Sequence, residues 1–327
     1  MKTVVTGASG HVGANLVRKL LEQKRQVTCL VRSSDAALKG LPVDIVKGDV
    51  RDPESLATAF TGAATVFHSA ARIAITGSGW KTIEEVNVLG VRNVVEACLK
   101  SRVRRLVHFS SIHAFDPFPL NEPLNETRAK VSSPHAPPYD RSKVAGEKEV
   151  RRGIENGLDA VILNPTGIIG PCDFHNSFFG RIIRQVGRAR MPIGINGGFN
   201  WVDVRDVVDV ALAAEIKGTP GEQYLIPGHW VSLGEMAKII DGIQGKKSMW
   251  VLSPLWLAAI GAPFAEWGAR LLSKQPLYTP VSIATLKNSH KNISHEKASR
   301  AFGYNPRPFE ETIRDTLGWY RGNGFLD

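Results

Sequence analysis

The stretch Thr3-Val4-Val5-Thr6-Gly7-Ala8-Ser9-Gly10-His11-Val12-Gly13 lies almost at the start of the chain and decides its fold. Its two adjacent valines are β-branched, which is typical of the end of a buried strand. Leucines at positions 16, 20 and 21 have helical spacing, so a helix over residues 15–24 follows the glycine-rich turn. Such a turn exposes backbone N–H groups at the positive end of a helix dipole, and glycine lets a pyrophosphate approach. The stretch therefore predicts a dinucleotide-binding turn, with G-x-x-G-x-x-G spacing instead of the general G-x-G-x-x-G.

The composition is that of a globular protein large enough for one α/β unit or two modest domains. The chain has 327 residues, of which 43% are hydrophobic, and a net charge of +10. Lys and Arg are scattered, and the densest groups are only 102–105 and 151–152. We therefore expect no nucleic-acid partner, and the basic surface suits a phosphorylated small molecule.

The three cysteines, Cys29, Cys98 and Cys172, are far apart and show no C-x-x-C spacing. Buried thiols and a reducing cytoplasmic location are expected. A strand within the first ten residues leaves no room for a signal peptide, and no apolar run is long enough for an integral membrane segment. The histidines show no metal-ligand spacing, so we expect no metal.

Strands and helices alternate along the first half of the chain. Predicted strands at residues 26–31, 43–47, 65–68, 105–109 and 160–163 are separated by predicted helices at 53–60, 80–100 and 138–156. This alternation predicts a doubly wound parallel sheet of Rossmann-like α/β type, which binds ligands outside the carboxyl ends of its strands. We expect a dinucleotide-binding domain over 1–170 and a smaller, mostly helical substrate-binding part over 171–327. Some strand and helix elements of the second part are expected to return to the main sheet.

A catalytic candidate lies in Tyr139-Asp140-Arg141-Ser142-Lys143. Tyr139 and Lys143 are four residues apart, so they share one face of a helix. An ammonium near a phenol favours the phenolate, and we therefore expect a lowered pKa for Tyr139 and acid–base chemistry on a substrate oxygen. Ser111 ends a predicted strand and could orient the same oxygen. The alternative for Ser110 and Ser111 is simple turn formation.

Several motifs together resemble an extended short-chain dehydrogenase/reductase of the NAD-dependent epimerase/dehydratase superfamily. They are Thr6-Gly7-x-x-Gly10-x-x-Gly13, Asn87-Val88-x-Gly90-x-x-Asn93, Ser111, Tyr139-x-x-x-Lys143, Asn164-Pro165-Thr166, Ile169-Gly170-Pro171 and Val202-Asp203-Val204-Arg205-Asp206. The resemblance covers nearly the whole chain. Within the family, the sequence is most similar to the dihydroflavonol-reductase and 3β-hydroxysteroid-dehydrogenase-like branch.

The resemblance implies a Ser-Tyr-Lys mechanism on a nicotinamide cofactor. In it, Tyr139 passes the proton, Ser111 polarises the substrate oxygen, and Lys143 holds the nicotinamide ribose and lowers the tyrosine pKa. It also implies a homodimer formed by the helices at 80–100 and 139–156. The cofactor contacts expected from the motifs are Gly7, Ser9, Gly10, His11, Val12, Gly13, Arg32, Asp49, Val50, Ala70, Ala71, Lys143, Pro165, Gly167 and Ile168.

The choice of cofactor depends on the end of the second strand. An acidic residue there accepts from the ribose 2′-OH and selects NAD, whereas Arg32 would pair with a 2′-phosphate. We therefore predict NADP(H). The alternative is an exposed arginine that stacks loosely on adenine and leaves NAD(H) usable. Asp49 resembles the family's adenine-contacting acid, with a loop or helix-capping role as its alternative.

The substrate class is indicated by two departures from nucleotide-sugar enzymes. Phe199 stands where their pyrophosphate-binding arginine would be, and Ile112-His113-Ala114 replaces the Thr-Asp-Glu triplet of sugar dehydratases. We therefore expect interconversion of a ketone and a secondary alcohol on a medium-sized, largely apolar substrate. The apolar segment 255–272 is expected to line the pocket or touch a membrane surface, or else to complete the core. The other functions considered are a nucleotide-sugar epimerase or dehydratase and a non-catalytic dinucleotide-binding regulator.

Overall fold

A computed structural model of the chain describes residues 1–33, 36–73, 79–175, 177–188, 193–246, 251–254 and 280–326. Its described strands are, in chain order, β1 (Lys2–Thr6), β2 (Gln26–Val31), β3 (Asp44–Lys47), β4 (Ala63–His68), β5 (Arg105–Phe109), β6 (Ala160–Pro165), β7 (Gly167–Ile169), β8 (Ile193–Ile195), β9 (Gly198–Asp203), β10 (Gln223–Ile226), β11 (His229–Ser232) and β12 (Val251–Ser253). Seven of them form a parallel sheet in the order β10-β6-β5-β4-β1-β2-β3. The predicted doubly wound α/β sheet is confirmed, and β10 joins it from beyond residue 170.

Helices cover both faces of this sheet. The described ones are α1 (His11–Glu22), α2 (Pro53–Phe60), α3 (Trp80–Glu84), α4 (Gly90–Lys100), α5 (Pro138–Glu155), α6 (Phe178–Gly187), α7 (Val204–Lys217) and α8 (Leu233–Gln244), followed by helices Pro280–Lys287, Glu296–Phe302 and Phe309–Gly322. α1 and α7 pack on one face, where Leu16 and Val207 are fully buried. α2, α4 and α5 pack on the other through Leu56, Val94 and Val150. In sheets of this kind, ligands bind outside the carboxyl ends of the strands.

Two predicted elements differ in detail. The helix expected over 80–100 is interrupted by a π-helical turn, Glu85–Leu89, which places Asn87 toward the site. The strand expected over 160–163 continues to Pro165, because β10 pairs with it through Leu225 and Ile226. Proline can stand there because it is the last residue of the strand.

A smaller unit follows the main sheet. β7, β9 and β11 form a three-stranded sheet, packed against α6, α8 and the helix Phe309–Gly322. Trp201 is fully buried at its centre, and its indole N–H donates to the carbonyl of Val231 at 2.9 Å. The prediction for 255–272 lies outside the described residues. Within the described part of the chain, no helix is both long and apolar enough to cross a bilayer.

Candidate active site

The glycine-rich turn is tightly packed against the turn that follows β4. Gly7 has φ +71°, and a Cβ there would lie 2.6 Å from the backbone nitrogen of Ala70. A Cβ at Gly13 would lie 2.2 Å from the carbonyl oxygen of Gly7, so neither position accepts a side chain. Gly10 directly precedes α1, and a Cβ there would have its nearest neighbour, the carbonyl oxygen of Gly7, at 3.2 Å. A pyrophosphate fits this arrangement, because the backbone before the helix stays approachable.

The first turn of α1 is tied to the loop after β7. The carbonyl of Pro171 lies 3.0 Å from His11 Nε2 and accepts a hydrogen bond from the Asn15 amide at 3.0 Å. Val12 and Ile168 are half-buried against the same apolar cluster. Of the predicted cofactor residues, His11 is thereby joined to the loop that follows Gly167 and Ile168 on β7, and the side chain of His11 is already engaged by protein.

The candidate adenosine side lies at the ends of β2 and β3. Arg51 donates to the Asp49 carboxylate from its backbone at 2.9 Å and from its guanidinium at 2.8 Å. The Arg51 hydrogen bond is the main reason that the pKa of Asp49 is lowered, and the charge of Arg32 adds to it. Arg32 itself is exposed. Two guanidinium groups thus stand where the sequence predicts the ribose and adenine.

The motif at residues 87–93 clamps this edge together. The Asn87 amide accepts from the backbone N–H of Arg72 at 2.8 Å, donates to its carbonyl at 3.0 Å, and donates to Ser142 Oγ at 3.0 Å. Asn93 donates to the carbonyl of buried Val50 at 3.0 Å. The segment containing Ala70 and Ala71 is thereby fixed against α5, and Val50 against α4.

Ser111, Tyr139 and Lys143 come together at the carboxyl end of β5. The Ser111 hydroxyl lies close enough to the Tyr139 phenol to act on its pKa, and Ser111 Oγ accepts from the backbone N–H of His113 at 3.2 Å. Lys143 lies one helical turn beyond Tyr139, with Nζ 5.8 Å from the centre of the phenol ring. Nζ donates to the carbonyl of Phe109 at 3.2 Å. The bond from His113 makes Ser111 the cap of the short helix Ile112–Ala114, which is the turn-forming role that the sequence left open, and its role at a substrate oxygen stays a prediction.

The protonation equilibria differ from the expectation in one respect. Burial raises the pKa of Tyr139 above its ordinary value, and the Ser111 hydrogen bond only partly offsets this. The predicted lowering of the tyrosine pKa by Lys143 is therefore wrong for this structure, because desolvation dominates. Burial lowers the pKa of Lys143 to about 8, while the charge of Glu147 acts in the opposite direction.

A buried polar network under these groups was missed by the sequence analysis. The Glu147 carboxylate accepts from Ser110 Oγ at 2.6 Å and from the Asn164 amide at 2.7 Å, and it pairs with Lys130 Nζ at 2.7 Å. Asn164 also donates to the carbonyl of Ser111 at 3.0 Å. The network holds the ends of β5 and β6 and the following loop in one arrangement. Position 147 continues the four-residue spacing of 139 and 143, a signal that could have identified it.

Two buried, neutral histidines lie side by side on the adjacent strands β4 and β5. His68 and His108 are register partners on β4 and β5, their ring centroids are 5.2 Å apart, and both are buried. His68 Nδ1 lies 2.6 Å from Thr6 Oγ1. Burial lowers the pKa of His68 to about 3 and that of His108 well below 6.5, and the charge of Lys143 contributes to both.

The model of the "NAD dependent epimerase/dehydratase family" matches residues 3–226. The chain belongs to this family. It is thus an enzyme of the extended short-chain dehydrogenase/reductase group, whose cofactor is a nicotinamide dinucleotide. The match spans the glycine turn, the Ser-Tyr-Lys group and the strand β10.

The matches to curated relatives extend over nearly the whole chain. It is 33% identical to "Sterol demethylase protein B" of Methylococcus capsulatus, with 100% of each chain covered. A Synechocystis sp. protein, named provisionally as a dihydroflavonol 4-reductase, is 31% identical over 98% of this chain and 95% of its own. The human "3 beta-hydroxysteroid dehydrogenase type 7" is 30% identical over 97% and 94%. The predicted branch of the family is confirmed.

A solved structure agrees with these relatives. The crystal structure of gox2253 superposes with a TM-score of 0.86 at 31% identity, covering 99% of both chains. The match includes the smaller unit as well as the main sheet. The fold of this family member is therefore that of an extended short-chain dehydrogenase/reductase throughout its described length.

Three aromatic side chains pack together in the smaller unit, next to β7. Phe199 on β9 packs on Phe179 and Trp201, with ring centroids 5.3 Å away in both cases. The Phe179 ring lies 3.2 Å from the place of a Cβ on Gly167, two residues after Pro165. We call Phe179, Phe199 and Trp201 the aromatic cluster. Through Phe179 it lies beside Gly167, one of the residues predicted to contact the cofactor.

Proposed function

We propose that this enzyme interconverts a ketone and a secondary alcohol on a medium-sized, largely apolar substrate with NADP(H). The observation that carries the proposal is the convergence of Ser111, Tyr139 and Lys143 beside the glycine-rich turn. A bound nicotinamide would supply or accept the hydride. The remaining requirement is a group that moves a proton at the substrate oxygen, and the phenol of Tyr139 meets it.

The protonation states favour reduction of a ketone near neutral pH. Because burial raises the pKa of Tyr139, its phenol stays protonated and can donate to the carbonyl oxygen. The Ser111 hydroxyl can hold the same oxygen, since it already contacts Tyr139. The ammonium of Lys143 stabilises the phenolate left after the transfer, as long as the pH is below its pKa of about 8.

An apolar substrate is supported by the aromatic cluster. Phe199 stands in the place of the arginine of nucleotide-sugar enzymes, and it packs on rings instead of offering a cation. The sterol, steroid and flavonoid names of the relatives agree with an apolar ring substrate. This argues against the nucleotide-sugar epimerase alternative, whose diphosphate needs a cationic partner.

The preference for NADP(H) is supported by charge. Arg32 is exposed at the end of β2, and Asp49, an acid at the end of the neighbouring β3, is neutralised by Arg51. A 2′-phosphate would meet guanidinium groups and not a free carboxylate.

Turnover assays test the reaction. Purified enzyme is incubated with NADPH or NADH and a panel of a 3-oxo-5α-steroid, a dihydroflavonol and a cyclic 2-methylketone. Net oxidation of NADPH with formation of the alcohol is expected. Turnover of UDP-sugars without net use of cofactor would instead support the epimerase alternative.

Cofactor binding tests the role of Arg32. In Arg32→Glu the Kd for NADPH should rise about tenfold or more, because a charge-assisted pair is lost, whereas the Kd for NADH should change little. Arg300→Glu is the matched control, since the Arg300 side chain is 78% exposed and lies on the helix Glu296–Phe302. A wild-type preference for NADH would refute the assignment.

We also infer a cytoplasmic homodimer that pairs through the helices at 80–100 and 139–156. α4 and α5 pack side by side within the chain, so the two helices can present one continuous face to a second copy. Light scattering of the purified protein would measure its mass. A monomer at assay concentrations would overturn this part of the proposal.

A further inference from the structure

A histidine–aspartate pair lies beside the Ser-Tyr-Lys group and has no role in the proposal above. His113 Nδ1 is 3.0 Å from Asp140 Oδ1. The imidazole also stands edge-on to the Tyr139 ring, with centroids 5.5 Å apart and planes at 70°. Because the backbone N–H of His113 donates to Ser111 Oγ, this pair is joined to both groups that would hold a substrate oxygen.

The partner of Nδ1 decides what the other ring nitrogen can do. With a carboxylate as acceptor, Nδ1 carries the proton of the neutral ring, and Nε2 carries the lone pair. This is how a carboxylate prepares a histidine to act as a general base. The His113 side chain is 34% exposed, so its free edge is not enclosed by the core.

The neighbouring groups are committed to other tasks. The buried phenol of Tyr139 remains protonated and serves as a donor to the carbonyl oxygen. Lys143 Nζ lies beneath, on the carbonyl of Phe109. His113 adjoins both groups that would hold the oxygen, so it is the candidate base for a carbon atom attached to that carbonyl.

Resting on the proposed function, we propose that His113, oriented by Asp140, removes and returns a proton on the carbon next to the substrate carbonyl. Nε2 takes the proton, the C–H electron pair becomes the C=C bond of an enolate, and the carbonyl π pair moves onto the oxygen. Tyr139 and Ser111 stabilise that oxygen by hydrogen bonds. Return of the proton from His113 restores the ketone, so no oxidant or reductant is consumed. The substrate class is thereby narrowed to ketones with a hydrogen on the adjacent carbon.

Hydrogen exchange tests this activity without hydride transfer. The panel ketone that is reduced fastest is incubated in D2O with enzyme saturated with NADP⁺, and deuterium uptake is measured by mass spectrometry. Uptake above the uncatalysed rate is expected at one adjacent carbon. In His113→Gln and Asp140→Asn, exchange should fall at least tenfold further than ketone reduction does.

His135→Gln is the matched control, because His135 is exposed in the loop before α5 and should change neither rate. Thermal melting checks that each variant is folded. Reduction without exchange in the wild type, or equal loss of both rates in His113→Gln, would overturn this inference and leave the proposed function standing. If no panel ketone is reduced, the proposed function fails and this inference fails with it.

Discussion

The two sides of the site are built in different ways. The proposed cofactor side, at the ends of β1, β4, β5 and β6, is held by buried polar groups that bond across the sheet, with Glu147 and Asn87 at the centres. The proposed substrate side is held by ring packing in the aromatic cluster. Directional bonds fix atoms where a proton must move, whereas ring packing tolerates ligands of different shape. Substitutions on the first side should therefore change rates, and those on the second should change which substrate is used.

The largest effect is expected at Tyr139. Tyr139→Phe removes the proton donor and should lower kcat for ketone reduction ~10²–10⁴-fold, with the Kd for NADPH little changed. Steady-state kinetics and cofactor titration measure both quantities. Tyr224→Phe is the matched control, because Tyr224 lies on β10 and its Oη accepts from the backbone N–H of Thr219. An unaltered kcat would favour a non-catalytic dinucleotide-binding protein.

The next effect concerns the charge of Lys143. Its ammonium form is lost as pH rises through about 8, so kcat/KM should fall on the alkaline side. Glu147→Gln removes the charge that supports the ammonium and should move this fall to lower pH, reducing kcat/KM at pH 8 on the order of tenfold. Glu149→Gln, on the same helix but paired with Arg92, is the control. If Glu147→Gln lowers kcat/KM by the same factor at every pH, the role of Glu147 is purely structural.

A smaller effect is expected from the aromatic cluster. Phe199→Ala opens the substrate side and should lower kcat/KM for an apolar ketone about tenfold through KM, with the Kd for NADPH unchanged. Phe118→Ala is the control, because the Phe118 ring is 53% exposed in the loop between β5 and α5. Loss of NADPH affinity in Phe199→Ala would show that the two sides are not separable.

The smallest effect is on stability in acid. His68 and His108 have lower pKa values folded than unfolded, so the unfolded state binds more protons and stability is lost as pH falls below about 6.5. Between pH 6.5 and 5.5 each should reduce the free energy of unfolding by about 1 kcal/mol. Urea titrations of wild type and His108→Gln should show a flatter pH dependence in the variant. A pH dependence as steep as in wild type would show that groups other than His68 and His108 make the protein sensitive to acid.

Local patterns in the chain determined the main sheet and the location of its ligand edge. β-branched runs, glycine spacing and helical leucines act over a few residues, and β2, α2 and β5 have the predicted bounds. The four-residue spacing of Tyr139 and Lys143 likewise placed them on one helical face, since helix geometry alone requires it.

Only the tertiary structure decided how these groups behave. The raised pKa of Tyr139 depends on burial by distant segments, and spacing along a helix carries no information about desolvation. The bonds from Glu147 to Ser110 and Asn164 join residues 37 and 17 positions apart, and His113 meets Asp140 across the loop before α5. Such contacts depend on the packed structure, because side chains that are distant in sequence become neighbours only when the chain folds.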